Sequence, residues 1–290
     1  MAEGIIVKGI SGFYYVKCKN KIYTCKAKGS FRNKNNTPYV GDYVTIREID
    51  EDEGFIEEIR ERKNFLIRPP VSNIDRMIII SSVLDPKPDT VFIDKMTAIC
   101  EFNNIEPVLC FNKTDLTEDL SIISEYEKIG YKVLRTSVKE GIGLIDFRSL
   151  LVKGITAVAG FSGVGKSSLI NTVVTEDVKT GQISDKILRG KHTTRHVELF
   201  EVSVGKYFAD TPGFSSLDID MIRKEELDDL FVEFKPYLSE CRFNNCSHTK
   251  ERDCGVISAV KENKIAMSRY ENYNMFYEKL KLINDWEREK

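Results

Sequence analysis

The stretch with the most chemical content is residues 160 to 168, GFSGVGKSS. Gly160, Gly165, Lys166 and Ser167 occupy the fixed positions of the pattern G-x-x-x-x-G-K-[ST]. The spacing suits a polyphosphate. Glycines let backbone N–H groups turn inward around the phosphates, and the start of the next helix adds partial positive charge. Phe161, Ser162, Gly163, Val164 and Ser168 complete that cradle. Lys166 is placed to reach the β- and γ-phosphates, and the Ser167 hydroxyl to bind Mg²⁺. The apolar run ITAVAG from Ile155 precedes the loop and SLINTVV follows it. Strand, loop and helix together are the context this pattern requires. An ordinary glycine-rich turn would lack it.

Three further segments bear on a nucleotide. Asn112-Lys113-Thr114-Asp115 follows PVLCF. A carboxylate at Asp115 can accept hydrogen bonds from the N1–H and N2–H₂ edge of guanine. Adenine does not offer that edge, so the charge would stay unpaired. Asn112 and Lys113 would buttress the base and the loop. Thr136-Ser137 follows YKVLR and could meet the base through backbone groups. Asp210-Thr211-Pro212-Gly213 follows KYFA; Asp210 would hold Mg²⁺ through water, and the Gly213 N–H would sense the γ-phosphate. Each of these alone fits a plain surface turn. Four elements on four strand ends, one of them a phosphate loop, point to a guanine nucleotide, GTP or GDP. The polar stretch TGQISDKILRGKHTTRHVELF, from Thr180, reads as a mobile switch segment. Thr193 or Thr194 could complete the Mg²⁺ shell there. His192 could orient water or meet transition-state charge; the competing reading is a solvated loop histidine.

Cys241, Cys246, His248 and Cys254 cluster as C-x4-C-x-H-x5-C. Four soft ligands so close suit a closed tetrahedral site holding one structural Zn²⁺. Cys18, Cys25, Cys100 and Cys110 fall on apparent strands or helices and read as buried packing. The seven cysteines are an odd number, and in a chain read as cytosolic a disulfide framework is not expected.

The elements that must position these groups fall into three parts. Residues 1 to 70 carry short β-branched and aromatic runs punctuated by turns, a pattern for a small barrel of the oligonucleotide-binding type. Lys8, Lys17, Lys19, Lys21, Lys26, Lys28, Arg32 and Lys34 are interleaved there with Phe13, Tyr14, Tyr15, Tyr23 and Phe31. Aromatics could stack on bases while lysines meet phosphates; a solvated lysine face over a β core explains the pattern equally well. Arg68-Pro69-Pro70 reads as a linker. Residues 71 to 222 alternate strand and helix, which predicts a three-layer α/β domain with helices on both faces of a sheet. Residues 223 to 290 read as a helical zinc-binding domain. RKEELDDLFVEF is expected as one amphipathic helix there. A C-terminal helix should bear Tyr270, Tyr273, Tyr277 and Leu280 on one face.

Composition narrows the partners. The chain has 290 residues, 41% of them hydrophobic and 30% charged, with a net charge of −2. That is ordinary for a globular protein and speaks against a uniformly basic nucleic-acid binder. No apolar run is long enough for a membrane span, and the N-terminus lacks the pattern of a secretory signal. The expectation is a cytoplasmic monomer.

The order of motifs is unusual. Ras-like GTPases place the phosphate loop first and N-K-x-D late; here N-K-T-D and T-S precede GFSGVGKS, and D-T-P-G comes after it. That is a circular permutation, which a sheet tolerates because ligands sit at the carboxyl ends of its strands. A small barrel, a permuted GTPase core and the elements T-G-Q-I-S, G-K-H-T-T-R-H, D-T-P-G-F and CRFNNCSH together resemble the ribosome small-subunit-dependent GTPase A (RsgA) family. The resemblance spans nearly the whole chain. It implies GTP hydrolysis stimulated by the small ribosomal subunit during late maturation, with barrel and zinc domain against ribosomal RNA. It also matches His192 to the family's switch histidine. Phe214 stands where Ras-type enzymes place a water-orienting glutamine, so slow intrinsic turnover is expected. The competing class is a non-ribosomal GTP-dependent switch, or an RNA-binding module with incidental hydrolysis.

Overall fold

The computed structural model describes residues 1–32, 37–177, 197–210 and 214–284. His192, Thr193, Thr194 and Gly213 lie outside them, as does the expected switch segment up to residue 196; its last residues, 197–200, are described and lead into a strand.

Five strands close the N-terminal barrel: β1 (Ala2–Ile10), β2 (Phe13–Cys18), β3 (Lys21–Ala27), β4 (Tyr43–Glu48) and β5 (Glu53–Ile59). The order is β1-β2-β3-β5-β4, with β4 returning to β1 and β3 running parallel to β5. Side chains alternate in direction along a strand, which places Ile6, Val16, Cys25, Val44, Ile46 and Ile56 in the buried interior. Burial pushes the Cys25 thiol up to about 12, as suits a packing cysteine. The acidic run from Asp50 to Glu53 is exposed, as its composition suggests.

Arg68 and Pro69 do not form an open linker. They are the turn between β6 (Phe65–Ile67) and β7 (Pro70–Ser72), a short antiparallel hairpin. The prolines end the strands without freeing the chain, because Asp42 gathers the surroundings. Its buried carboxylate accepts from Arg62 Nε at 2.7 Å, Ser72 Oγ at 2.6 Å and the Tyr39 N–H at 2.7 Å. A buried charge met on all sides ties the barrel firmly to the hairpin.

The second unit is a sheet in the order β10-β9-β8-β11-β13-β12. Its strands are β8 (Ile74–Ser82), β9 (Glu106–Asn112), β10 (Lys132–Arg135), β11 (Gly154–Ala159), β12 (Glu198–Ser203) and β13 (Lys206–Asp210). All pairings are parallel except β12 with β13. The core strands are buried on both faces. Met77 and Ile79 of β8 join one hydrophobic cluster, and Ile78 and Ile80 join the other. The first cluster takes in α1 (Thr90–Phe102) and α2 (Ser121–Ile129); the second takes in α3 (Leu144–Ser149) and α4 (Lys166–Asp177). The expected three layers are therefore present. Gly130, at φ 103°, ends α2 in the left-handed region.

The edge strand β12 also meets the barrel, where Lys8 pairs in register with Glu198. Lys8 Nζ lies 3.0 Å from Glu198, and Lys17 Nζ lies 3.2 Å from Glu201. Two lysines of the expected basic face are thus engaged by the neighbouring unit.

The C-terminal region corrects one expectation. Residues 224 to 234 form three successive 3₁₀ turns, Lys224–Glu226, Asp228–Leu230 and Val232–Phe234, rather than one amphipathic helix. Phe231, with ψ 88°, breaks the helical path. The break lets Phe231 and Phe234 both turn inward onto Tyr273 and carries Glu233 to Arg269. Then come α5 (Lys235–Leu238), α6 (Gly255–Lys261) and α7 (Met267–Lys281). The buried stripe of α7 is Arg269, Asn272, Tyr273, Phe276 and Leu280, with Tyr270 and Tyr277 partly buried beside it. Arg269, 1% exposed, reaches Asp94 of α1 at 2.6 Å and Glu233 at 2.6 Å. Asp94 also accepts from Tyr126 and Asn272, each at 2.7 Å. This network, docking α7 on α1, had no signature in the sequence.

Candidate functional site

Among the described residues, N-K-T-D, Thr136-Ser137 and the glycine-rich loop lie at the carboxyl ends of β9, β10 and β11, and Asp210 ends the neighbouring β13. Two glycines are dictated by close approach. Gly160 has φ 155°, and a Cβ there would lie 2.4 Å from the Ile80 carbonyl. Gly165 has φ 92°, and its Cβ would lie 2.3 Å from Asn112 Nδ2. Any side chain at either place would drive the loop off its neighbours. Val164 is buried beneath the loop, while Phe161 is partly exposed and packs at a tilt against Phe92 of α1, 4.4 Å between ring centres. Lys166 opens α4 and donates to the Gly160 carbonyl at 2.6 Å and to that of Phe161. Ser167 and Ser168 follow in the first turn of α4, where N–H groups have no partner within the helix.

The N-K-T-D segment is tied to the loop through side chains. Asn112 Nδ2 donates to the Val164 carbonyl at 2.9 Å, and Asn112 Oδ1 accepts from Thr136 Oγ1 at 3.1 Å. One buried amide thereby links β9, β10 and the phosphate loop. Lys113 adopts a left-handed backbone, φ 61°, and its ammonium donates to the Asp85 carbonyl. Thr114 Oγ1 donates to the Thr136 carbonyl at 3.1 Å. Ser137 Oγ donates to Asp115 Oδ1 at 2.6 Å. That hydrogen bond, first among the causes, holds the Asp115 carboxyl below its ordinary range, with Lys139 and Lys113 adding to it. The aspartate is thus an ionised acceptor at neutral pH. Asp210 ends β13 in register with Glu198.

Phe214 is fully buried in the core, so its ring faces away from any water at the rim. Ser215 beside it was not foreseen: its hydroxyl donates to the Gly160 carbonyl at 2.6 Å and accepts from the Gly160 N–H at 3.3 Å. Asp85 was also missed, because it acts through its carbonyl and any residue type would serve.

The second site is the cysteine cluster. Ligand atoms of Cys241, Cys246, His248 and Cys254 all lie within 4.8 Å of one another. His248 Nδ1 is 3.3 Å from Cys254 Sγ and 3.6 Å from Cys241 Sγ, so Nδ1 faces the cluster. Its Nε2 meets Asp228 Oδ2 at 3.2 Å. An imidazole held through its far nitrogen by a carboxylate is a recurring support for a metal ligand. Backbone N–H groups of Gly255 and Ile257 donate to the Cys241 and Cys254 sulfurs at 3.3 and 3.4 Å. Three sulfurs and one nitrogen, converging with no open face of hard oxygen donors, fit Zn²⁺. Glu251 shapes the loop: its carboxylate accepts from the Ser247, Thr249 and Lys250 N–H groups at 2.9, 3.0 and 3.0 Å. Neither Asp228 nor Glu251 was legible, since many carboxylates flank the cysteines.

Cys18, Cys25, Cys100 and Cys110 are all buried, as expected of packing residues. No helix among the described residues is long and apolar enough to cross a membrane.

A parallel α/β sheet that carries a phosphate loop after N-K-T-D, and D-T-P-G after both, defines a circularly permuted GTPase. A solved structure described in those words, YloQ, is 36% identical with a TM-score of 0.80, covering 97% of this chain and 95% of that one. YjeQ from Thermotoga maritima is also 36% identical, with a TM-score of 0.84 over 98% of this chain and 99% of that one. The RsgA GTPase family model matches residues 59–220, and the RsgA N-terminal domain model matches residues 3–56. The small ribosomal subunit biogenesis GTPase RsgA of Alkaliphilus metalliredigens (strain QYMF) is 46% identical over 279 residues, 94% of this chain and 96% of that protein. The chain belongs to the RsgA GTPase family and is a GTP-hydrolysing enzyme.

Proposed function

We propose that this enzyme acts in late maturation of the small ribosomal subunit, binding the particle and hydrolysing GTP faster when bound. The observation that carries the reading is similarity over nearly the full length to relatives named for small ribosomal subunit biogenesis. The barrel, residues 1–70, and the zinc-binding part, residues 223–290, flank the GTPase part, residues 71–222, and supply surfaces for ribosomal RNA. The protein works as a cytoplasmic monomer.

Residues 160 to 168 cradle the polyphosphate, with Lys166 on its β- and γ-oxygens. Asp115, fixed by Ser137, reads guanine, and Asn112, Lys113, Thr114 and Thr136 hold that reader against the loop. Ser167 and Asp210 hold Mg²⁺, with Thr193 or Thr194 completing its shell and the Gly213 N–H at the γ-phosphate. Bound Mg²⁺ neutralises charge on the phosphates. Cys241, Cys246, His248 and Cys254 hold one structural Zn²⁺. Phe214 is buried and leaves the glutamine's role unfilled, so His192 orients the attacking water in the subunit-bound enzyme.

Single-turnover hydrolysis with purified small subunits tests this. Small subunits should accelerate turnover where large subunits and unrelated RNA do not; equal response to all three would favour a non-ribosomal switch. His192→Ala should lose about 10²–10⁴-fold of the stimulated rate while GTP and subunit binding stay near wild type.

A further inference from the structure

Ser215 makes a two-ended contact with the first glycine of the phosphate loop. Its hydroxyl accepts from the Gly160 N–H at 3.3 Å and donates to the Gly160 carbonyl at 2.6 Å. The same carbonyl accepts from Lys166 Nζ at 2.6 Å. A carbonyl oxygen has two lone pairs, and here a serine hydroxyl and the loop lysine share them. On its other side Gly160 packs closely on the Ile80 carbonyl, which leaves no space for a Cβ. Ser215 itself is firmly carried. Phe214 before it is fully buried, Leu217 after it is buried, and the Leu217 N–H closes the turn on the Phe214 carbonyl at 3.3 Å.

We infer that Ser215 is a positioning residue for hydrolysis, fixing the Gly160 peptide and, through its carbonyl, the placement of the Lys166 ammonium. This rests on the proposed role of Lys166 at the phosphates. Lys166 matters most where charge develops on the transferring group. Loosening its support therefore lowers the rate at saturating GTP more than it weakens ground-state binding.

The test is single-turnover hydrolysis at saturating GTP, with GTP and GDP affinities and the melting temperature measured alongside. Ser215→Ala should hydrolyse about tenfold more slowly, the scale of one lost hydrogen bond at a buried backbone group, with affinities within about threefold of wild type. Ser215→Thr keeps the hydroxyl and should recover most of the rate. A wild-type rate for Ser215→Ala overturns the inference, as does equal loss in the Ala and Thr variants, which would mark a packing role. Should the Ala variant not fold, Ser215→Cys replaces it, and a wild-type rate there overturns the inference equally. If the wild type itself fails to bind GTP, the phosphate-loop reading fails instead.

Discussion

At the sheet rim, Asn112, Thr136, Gly160 and Ser215 arrive from four separate segments: Thr136 bonds the Asn112 side chain, Asn112 the Val164 carbonyl and Ser215 the Gly160 carbonyl. In the C-terminal region, Cys241, Cys246, His248 and Cys254 lie close in sequence, and carboxylates of Asp228 and Glu251 set the loop that carries them. The rim is held by hydrogen bonds between groups of the protein itself. The cluster brings four metal-binding groups together with little regular structure around them, so its cohesion should come from the metal. Between the two regions lies the buried Arg269 network on α1. Among the described residues, neither site shares a side chain with the other. Damage to one should therefore leave the other working, and variants at each test that independence.

Zinc removal should have the largest effect. Structural zinc in small domains contributes about 10–16 kcal/mol of binding free energy. Cys254→Ser, or strong chelation, should abolish one equivalent of zinc by elemental analysis and expose the C-terminal region to protease. GDP affinity should stay within about threefold. Next, Asp115→Asn replaces an acceptor with a donor and should weaken GDP binding by about 10⁴-fold, while xanthosine diphosphate gains; calorimetry with both nucleotides reads this, and zinc content should not change.

Arg269→Met attacks the join itself. It leaves Asp94 and Glu233 buried without their cation, which should cost about 3–5 kcal/mol in urea unfolding. If both regions are independent beyond that join, GTP hydrolysis should survive wherever the variant stays folded. The smallest effect is expected at Glu251. Burial acts to raise its pKa, but hydrogen bonds from Ser247 and the Lys250 backbone outweigh it and bring the value from 4.5 to about 2. A carboxyl lowered on folding contributes its stabilisation fully above about pH 4.5 and loses it as pH falls towards about 2. Glu251→Gln should cost about 1–2 kcal/mol at neutral pH and flatten that acid limb; an unchanged pH profile of unfolding would contradict the assignment.

Much of the fold was legible because its signals are local. Strand–loop–helix around Gly160, alternating buried strands, and turn glycines such as Gly130 each follow from neighbouring residues. The 3₁₀ turns from Lys224 to Phe234 were misread for the opposite reason. Their composition suits a helix, and only the pull of Tyr273 and Arg269 from α7 breaks it. Likewise the proline pair at Pro69 and Pro70 signals an end to strands, but not that Asp42 clamps the turn into a hairpin.

By itself the sequence determined the nucleotide chemistry, the permuted order of its motifs and the four candidate metal ligands. Those rest on residue type and spacing, which local backbone geometry converts directly into a glycine-rich loop before a helix or a cluster of four metal-binding side chains. Tertiary structure alone decided which polar groups face one another across the fold. Ser215 meets Gly160, Asp228 meets His248, Lys8 meets Glu198 and Arg269 meets Asp94. A serine, aspartate or lysine carries no mark of its distant partner. Each partnership arises when apolar burial packs the elements together and leaves a polar group that must be satisfied where it lies.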